Sequence, residues 1–141
     1  MAGISPKLPI SKNKEDGYTL TKTYLESTQQ NLKNLLLTVP GERMMDPDFG
    51  VGMNRFLFEN HGISTYGSIL SKVQEQVDLY MPFIYIQRMS FYGPDGLWTS
   101  DEGSIPDTKN EFANLNLLQM KIYFVITPLE QTGTLDLDFA V

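Results

Sequence analysis

Cysteine is absent from the 141 residues, and histidine occurs once, at His61. The first absence excludes disulfides, thiolate zinc sites, thiol nucleophiles and covalent haem attachment, and the second leaves any zinc site short of nitrogen ligands. Long apolar runs are missing too. No stretch approaches the roughly 18 residues of a membrane-spanning helix, and the N-terminal region holds no signal-peptide core, so a soluble chain made in the cytoplasm, with no membrane partner, is expected. Positive charge is scarce: 11 Lys and Arg stand against 17 Asp and Glu, for a net charge of −6. Residues 1–55 sit at +1 and residues 56–141 at −7. A phosphate-binding face needs clustered bases, so protein rather than nucleic acid is the expected partner. What is present, 41% apolar and 20% charged residues, is the composition of a folded domain with one core.

Residues 1–16 hold Gly3, Pro6, Pro9 and three lysines with few large apolar groups, and are expected as a flexible N-terminal arm. Thr23-Tyr24-Leu25-Glu26 has capping-box spacing, which starts a helix near Thr21 to Thr23. Leu25, Thr28, Leu32, Leu35 and Leu36 give that helix one apolar stripe until Pro40-Gly41 ends it. Glu42 to Gly52 reads as turn-rich, flanked by short extended pieces, because Asp46-Pro47 biases the backbone to extended geometry and Gly50 and Gly52 permit positive φ. Tyr66, Leu70, Val73, Val77 and Tyr80 predict a second helix from about Thr65 to Met81, with Ser64 or Thr65 as N-cap and Pro82 as the stop.

Phe83 to Tyr92 then alternates, with Phe83, Tyr85, Met89 and Phe91 expected on one face. Asn116 to Thr127 alternates through Leu118, Met120, Ile122, Phe124 and Ile126, and the two strands are expected to pair, with a small hairpin near Leu97-Trp98 between them. Leu135, Leu137, Phe139 and Val141 alternate with Asp136 and Asp138 and predict a strand at the end of the sequence. The fold class is α+β, two helices packed on a small, mainly antiparallel sheet. Residues 17–130 form the domain and 131–141 a C-terminal strand or extension.

Candidate chemistry is thin. Glu42, Asp46, Asp48 and Glu59 could supply a carboxylate pair for glycoside hydrolysis, yet acids near turns are ordinarily turn formers. His61 reads as a surface turn residue. Gly62 to Gly67 misses the spacing of a nucleophile elbow, and Gly50-Val51-Gly52 is followed by Arg55 where a dinucleotide fingerprint needs glycine. Asp95, Asp101, Glu102, Asp107 and Glu111 miss calcium-loop spacing. Phe83, Tyr85, Phe91, Tyr92 and Trp98 read as strand core rather than as base-stacking groups. No catalytic residue, metal or cofactor is expected. The last strand stands out, because a loose strand or an exposed edge joins domains by strand addition.

Four blocks carry a resemblance: Leu35-Leu36-Leu37-Thr38; Pro40, Gly41, Glu42 and Arg43; Asp46, Pro47, Asp48, Phe49 and Gly50; and Leu57, Phe58, Glu59 and Asn60. In order and spacing they resemble the central signature of the baseplate wedge, or sheath-initiator, family of contractile phage tails, which has relatives in type VI secretion baseplates. The resemblance implies a sheet like the handshake domain of sheath subunits and a structural role seating the first sheath ring. It implies the tail sheath protein and baseplate wedge proteins as partners, with Thr23 to Thr38 packed in a helical bundle with the latter. Six copies around the tail axis, in a baseplate assembled in the host cytoplasm, are implied as well.

One departure matters. Where the family commonly carries Glu-Pro-Arg after its second helix, this chain has Met81, Pro82 and Phe83. An ion-pair role there does not transfer, and apolar contact with a partner, or burial, takes its place. Two alternatives remain: a peptidoglycan-cleaving, lysozyme-like enzyme using Glu42 or Glu59 with Asp46 or Asp48, and a stand-alone regulatory binding protein of the same fold.

Overall fold

The computed structural model describes residues 3–60, 62–93, 96–101, 103–105 and 117–140. His61, Asp95, Glu102, Asp107, Glu111 and Val141, together with most of the acid-rich stretch 93–115, lie outside the described residues, as does the side chain of Phe139.

Helix α1 spans Tyr24–Leu37. Thr23 caps it from an extended conformation, its hydroxyl accepting the Glu26 N–H at 3.2 Å, while the Glu26 carboxylate reaches back to the Lys22 N–H at 3.3 Å. Ser27, Thr28, Leu32, Leu35 and Leu36 form its buried face. A single turn, α2, follows at Met53–Phe56, where short extended pieces were expected. Gly52 opens it with φ at +70°, and Met53 is fully buried beneath it. Helix α3 spans Ile63–Tyr80 and starts from Gly62, so Ser64 and Thr65 sit inside the helix rather than at its cap. The Thr65 hydroxyl instead donates to the Asn60 carbonyl at 2.7 Å, tying the first turn to the preceding loop. Pro82 ends the helix as expected, one residue beyond the Met81 cap.

Residues 5–21, expected in the main as a loose arm, carry two short antiparallel ladders. Strand β1 (Ser5–Pro6) pairs with β4 (Leu20–Thr21), and β2 (Lys12–Asn13) with β3 (Gly17–Tyr18). Gln30 of α1 then donates to the Pro6 carbonyl and accepts the Leu8 N–H, both at 2.9 Å. Backbone pairing and one glutamine thus supply what apolar composition does not, which is why hydrophobicity alone misses this segment.

The principal sheet has the order β7-β6-β5-β8-β9, antiparallel throughout: β5 Ile84–Gly93, β6 Gly96–Thr99, β7 Gly103–Ile105, β8 Leu117–Ile126 and β9 Gln131–Ala140. Its inner face meets the helices around Leu32, Leu36, Ile69, Val73, Phe91, Ile122 and Phe124, all completely buried. The hairpin near Leu97-Trp98 is present as β6 and β7, and Trp98 packs against Tyr66 and Phe91 at centroid distances of 5.8 and 5.6 Å.

The expected facing of β5 is wrong in its first half. Ile84 and Ile86 are buried, as are Met89 and Phe91, whereas Phe83 and Tyr85 are 40% and 64% exposed. A β-bulge between Ile86 and Arg88 shifts the register. One extra residue, Gln87, reverses the two-residue period, so even positions point inward before it and odd positions after it.

Strand β9 pairs in cis with β8 over its whole length, from Leu117 opposite Ala140 to Ile126 opposite Gln131. Leu135 and Leu137 are buried in the chain's own core, so these two expected docking groups are not available to a neighbouring subunit. Leu137→Ala is therefore expected to cost about 3 kcal/mol of stability in urea denaturation, through the cavity it opens. The exposed Asp138→Ala should change stability by less than about 0.5 kcal/mol.

Candidate functional site

Helix α1 ends with orphan carbonyls, and the segment 50–52 supplies their donors. The Val51 N–H donates to the Leu35 carbonyl at 3.0 Å and the Gly52 N–H to the Thr38 carbonyl at 2.9 Å. For this the chain must pass Thr38 closely. Gly50 has φ at +110°, and a Cβ built on it would collide with the Thr38 carbonyl, so glycine is required both by conformation and by space. Helix α3 holds the same point from the other side. The side-chain oxygen of the buried Gln76 accepts the Gly50 N–H at 2.9 Å, and its amide donates to the Asp48 carbonyl at 3.2 Å.

The rest of the signature folds around this knot. Gly41 N–H donates to the Pro47 carbonyl at 2.8 Å, and the Glu42 carboxylate accepts the Val39 N–H at 3.2 Å, which closes the loop between Pro40 and Asp48. Asp46 accepts the Tyr80 hydroxyl at 3.0 Å. Partial burial, that hydrogen bond and the nearby carboxylates of Asp46 and Asp48 together push the Tyr80 phenol above its ordinary pKa. The half-buried Phe49 packs edge-on against Tyr80 at 4.8 Å, and the guanidinium carbon of Arg43 lies over the Phe49 ring, 3.7 Å from its centroid. Met44 and Met45 project from the loop, 96% and 98% exposed.

Arg43, Phe49, Tyr80, Met81 and Phe83 line one cleft of about 280 Å³, closed on its far side by Asn31, Asn34 and Leu35 of α1. The signature loop and the Met81-Pro82-Phe83 departure, separate in sequence, therefore meet at the same place. Met81 is buried, while Pro82 and Phe83 are exposed at the rim. Leu57 packs against the core, whereas Phe58 and Glu59 face solvent. Gln76 was not anticipated. Its signal was a polar side chain on the apolar face, between Val73 and Val77 and about two turns beyond Ile69.

Of the four carboxylates considered for hydrolysis, Asp46 is occupied by Tyr80 and Glu42 by the Val39 amide, while Asp48 and Glu59 are exposed. Among the described residues no three His, Asp or Glu side chains gather as a metal site would require, and no helix is long and apolar enough to cross a membrane.

The family model described as baseplate wedge protein gp25 matches residues 22–97, which contain α1, the knot, α3 and both sides of the cleft. The chain belongs to this family. No curated protein sequence matches it. Two solved structures share the fold of this wedge-family chain. One is the crystal structure of a Geobacter sulfurreducens protein provisionally named a tail lysozyme, 23% identical with a TM-score of 0.60 over 87% of this chain and 96% of that one. The other is a chain of the anti-feeding prophage baseplate, a cryo-EM structure with 6-fold symmetrisation, 24% identical with a TM-score of 0.62 over 86% of this chain and 83% of that one. The α+β class read from the sequence is the class of these neighbours.

The knot gives a stability test. Gly50→Ala is expected to cost about 3 kcal/mol or more, since it adds backbone strain to a collision with the Thr38 carbonyl. Phe49→Ala should cost less, about 2 kcal/mol, because the ring is only half-buried. Denaturant midpoints at constant m-value check both.

Proposed function

We propose that this chain is a structural, non-enzymatic subunit of a contractile-tail baseplate, binding wedge proteins at its helical side and seating the first ring of sheath on its sheet. Membership of the wedge family over residues 22–97 carries the reading. The cleft supports a protein-facing role. It is shallow and walled by Phe49, Tyr80 and Phe83 with one cation, Arg43, which suits a partner helix better than a small substrate. Six copies around the tail axis and assembly in the host cytoplasm belong to the same proposal.

The sheath side of the proposal rests on β9. It ends the described sheet order, so among the described residues one edge has no strand beside it. The Gln29 amide takes the Thr134 carbonyl at 2.9 Å, which places the outward-pointing backbone groups on Thr134 and, by the antiparallel alternation, on Asp136, Asp138 and Ala140. A strand added from a sheath subunit would meet those groups. Leu135 and Leu137 contribute only by holding the edge in place.

Asp138→Pro removes one outward N–H without disturbing the bonds to β8, so the isolated protein should keep its fold while sheathed tails, counted by electron microscopy, fall several-fold in yield. Normal yields of full-length contractile tails would overturn the sheath assignment. The enzymatic alternative predicts cell-wall hydrolysis by the purified chain. We expect no substrate-saturable turbidity loss, and none that Glu42→Gln or Glu59→Gln abolishes; activity lost in either variant would reverse the conclusion.

A further inference from the structure

Arg43 is the one charged residue in the wall of the cleft beside the signature loop. Its guanidinium carbon lies 3.7 Å from the centroid of the Phe49 ring, and Phe49 in turn stands 4.8 Å from Tyr80. Stacking of this kind sets the plane of the guanidinium fork and leaves its N–H donors at the edge. Arg43 is exposed, so those donors are open to an incoming group. The other polar groups of the wall are committed or uncharged. Tyr80 donates its hydroxyl to Asp46 at 3.0 Å, and Asn31 and Asn34 carry neutral amides.

The chain does not supply a carboxylate for Arg43. The ion pairs among the described residues are made by Lys22, Lys72 and Lys121. The acids outside the described residues are held away by chain connectivity. Asp95, Glu102, Asp107 and Glu111 join described strands at Gly93, Gly103, Ile105 and Leu117, toward the end of the sheet away from Phe83. The longest of these tethers, from Leu117 to Glu111, reaches about 21 Å. Strand β8 covers about 30 Å between Leu117 and Ile126, and Ile126 stands opposite Ile84 at the cleft end.

We propose that the cleft receives an α-helix of a neighbouring baseplate protein. That helix sets one large apolar side chain against Phe49, Tyr80 and Phe83, and an Asp or Glu three or four residues away against Arg43. The proposal rests on the baseplate reading for the identity of the neighbour and adds the chemistry of its contact. Asn31, Asn34 and Leu35 follow the spacing of a ridge on α1, against which the ridges of a second helix pack. Side chains three or four apart on a helix stand about 5 to 6 Å apart, comparable with the separations that Arg43, Phe49 and Tyr80 present. A strand has nothing to pair with here, since β5 is flanked by β6 and β8. A polyanion is disfavoured by Asp46 and Asp48 on the same loop. Met44 and Met45 follow Arg43 directly and are almost fully exposed. With Arg43, Phe49, Tyr80 and Phe83 they give the Met, Arg and aromatic composition typical of the centre of a protein contact. The loop is already held by the Gly41 bond to Pro47 and by Gln76, so little ordering entropy is lost when a partner arrives. With Met81 buried and Phe83 at the rim, the partner's acid has Arg43 alone to answer it.

The test uses assembled tails carrying a photo-crosslinking benzoylphenylalanine at Phe83, with the crosslinked residue located by mass spectrometry. The expected crosslink falls in a helix of another baseplate protein that has an Asp or Glu three or four residues from the linked position. Arg43→Glu should lower tail yield by about tenfold or more while the isolated variant keeps the parent's melting temperature. Replacing the partner's acid by Lys should then restore the yield to within about threefold, because the exchanged charges attract again. Arg43→Gln, which removes the charge without reversing it, is the second variant and should lower the yield several-fold. A crosslink to a second copy of this chain, to nucleic acid or to a segment with no acid one turn away would overturn the proposal. So would normal yields with both Arg43 variants, no rescue by the reciprocal exchange, or no crosslink in tails that contain the chain. Tails that lack the chain altogether would remove the baseplate reading as well, whereas tails that contain it and crosslink elsewhere remove the helix contact alone.

Discussion

Between Thr38 and Gly50 two stretches of backbone approach so closely that no Cβ fits between them, and both long helices are positioned by that contact. The last carbonyls of α1 are taken by the amides of Val51 and Gly52, and the Gly50 amide is taken by Gln76 of α3. Each bond satisfies a group that burial would otherwise leave orphaned, so the helices cannot separate without exposing several unpaired groups together. Phe49 follows as a consequence. With Gly50 pinned, the preceding residue is turned toward Tyr80 and the Arg43 guanidinium, and the cleft acquires its aromatic wall. A loop that reads as turn chemistry in sequence is thereby the joint between the two halves of the helical layer.

Periodicity made the long elements legible. The stripe of α1 and the alternation of Leu118, Met120, Ile122, Phe124 and Ile126 in β8 appear in the structure with the expected residues buried, Leu25 at the start of α1 only partly so, because each element follows one period from end to end. What was illegible breaks a period or has none. The bulge at Gln87 changes the parity of β5 midway, and no local residue preference announces it, since the shift is set by pairing with Tyr123 and Phe124 of a strand distant in sequence. Four residues of α2 are too few for any period to emerge. Residues 5–21 are ordered by two backbone ladders and by the bonds of Pro6 and Leu8 to Gln30, to which a hydrophobicity reading is blind. The signature residues were legible as a group. Their mutual geometry was not, because Gln76 and Tyr80, which bind the loop, come from a helix whose sequence speaks mainly of packing.

The Met81-Pro82-Phe83 departure takes on a physical meaning from its neighbours. Charged flanks at this position would sit beside Arg43 and within reach of a partner's charges, where their worth depends on how fully water is excluded. Here the first flank is buried as Met81 and the second is a half-open aromatic, so the rim offers apolar area and leaves the charge to Arg43 alone. Arg43 lies on Phe49, and a guanidinium held over a ring keeps its donors free at its edge. Under the protein-facing role proposed for it, such a cleft would distinguish partners by shape and by one acidic contact, where a Glu-Pro-Arg rim would do so by paired charges.

Strand β9 divides its four surfaces among different tasks. Its inner face fills the core with Leu135 and Leu137, and one edge is consumed by β8 along ten residues. Its outer face carries Asp136 and Asp138, of which Asp136 is drawn to Lys121 and holds that ammonium above its ordinary pKa. Among the described residues no strand lies along the second edge, where Gln29 holds the Thr134 carbonyl, and an edge of this kind is an invitation to indiscriminate pairing. Aspartates flanking it counter this, since a second copy brought alongside would place carboxylates near carboxylates with no cation to spare. Under the proposed strand addition, the incoming strand would bring compensating positive charge and would pair beyond the Thr134 carbonyl, which Gln29 already occupies. The same residues that keep the edge from pairing with itself would, under that proposal, set the chemistry of the strand accepted there.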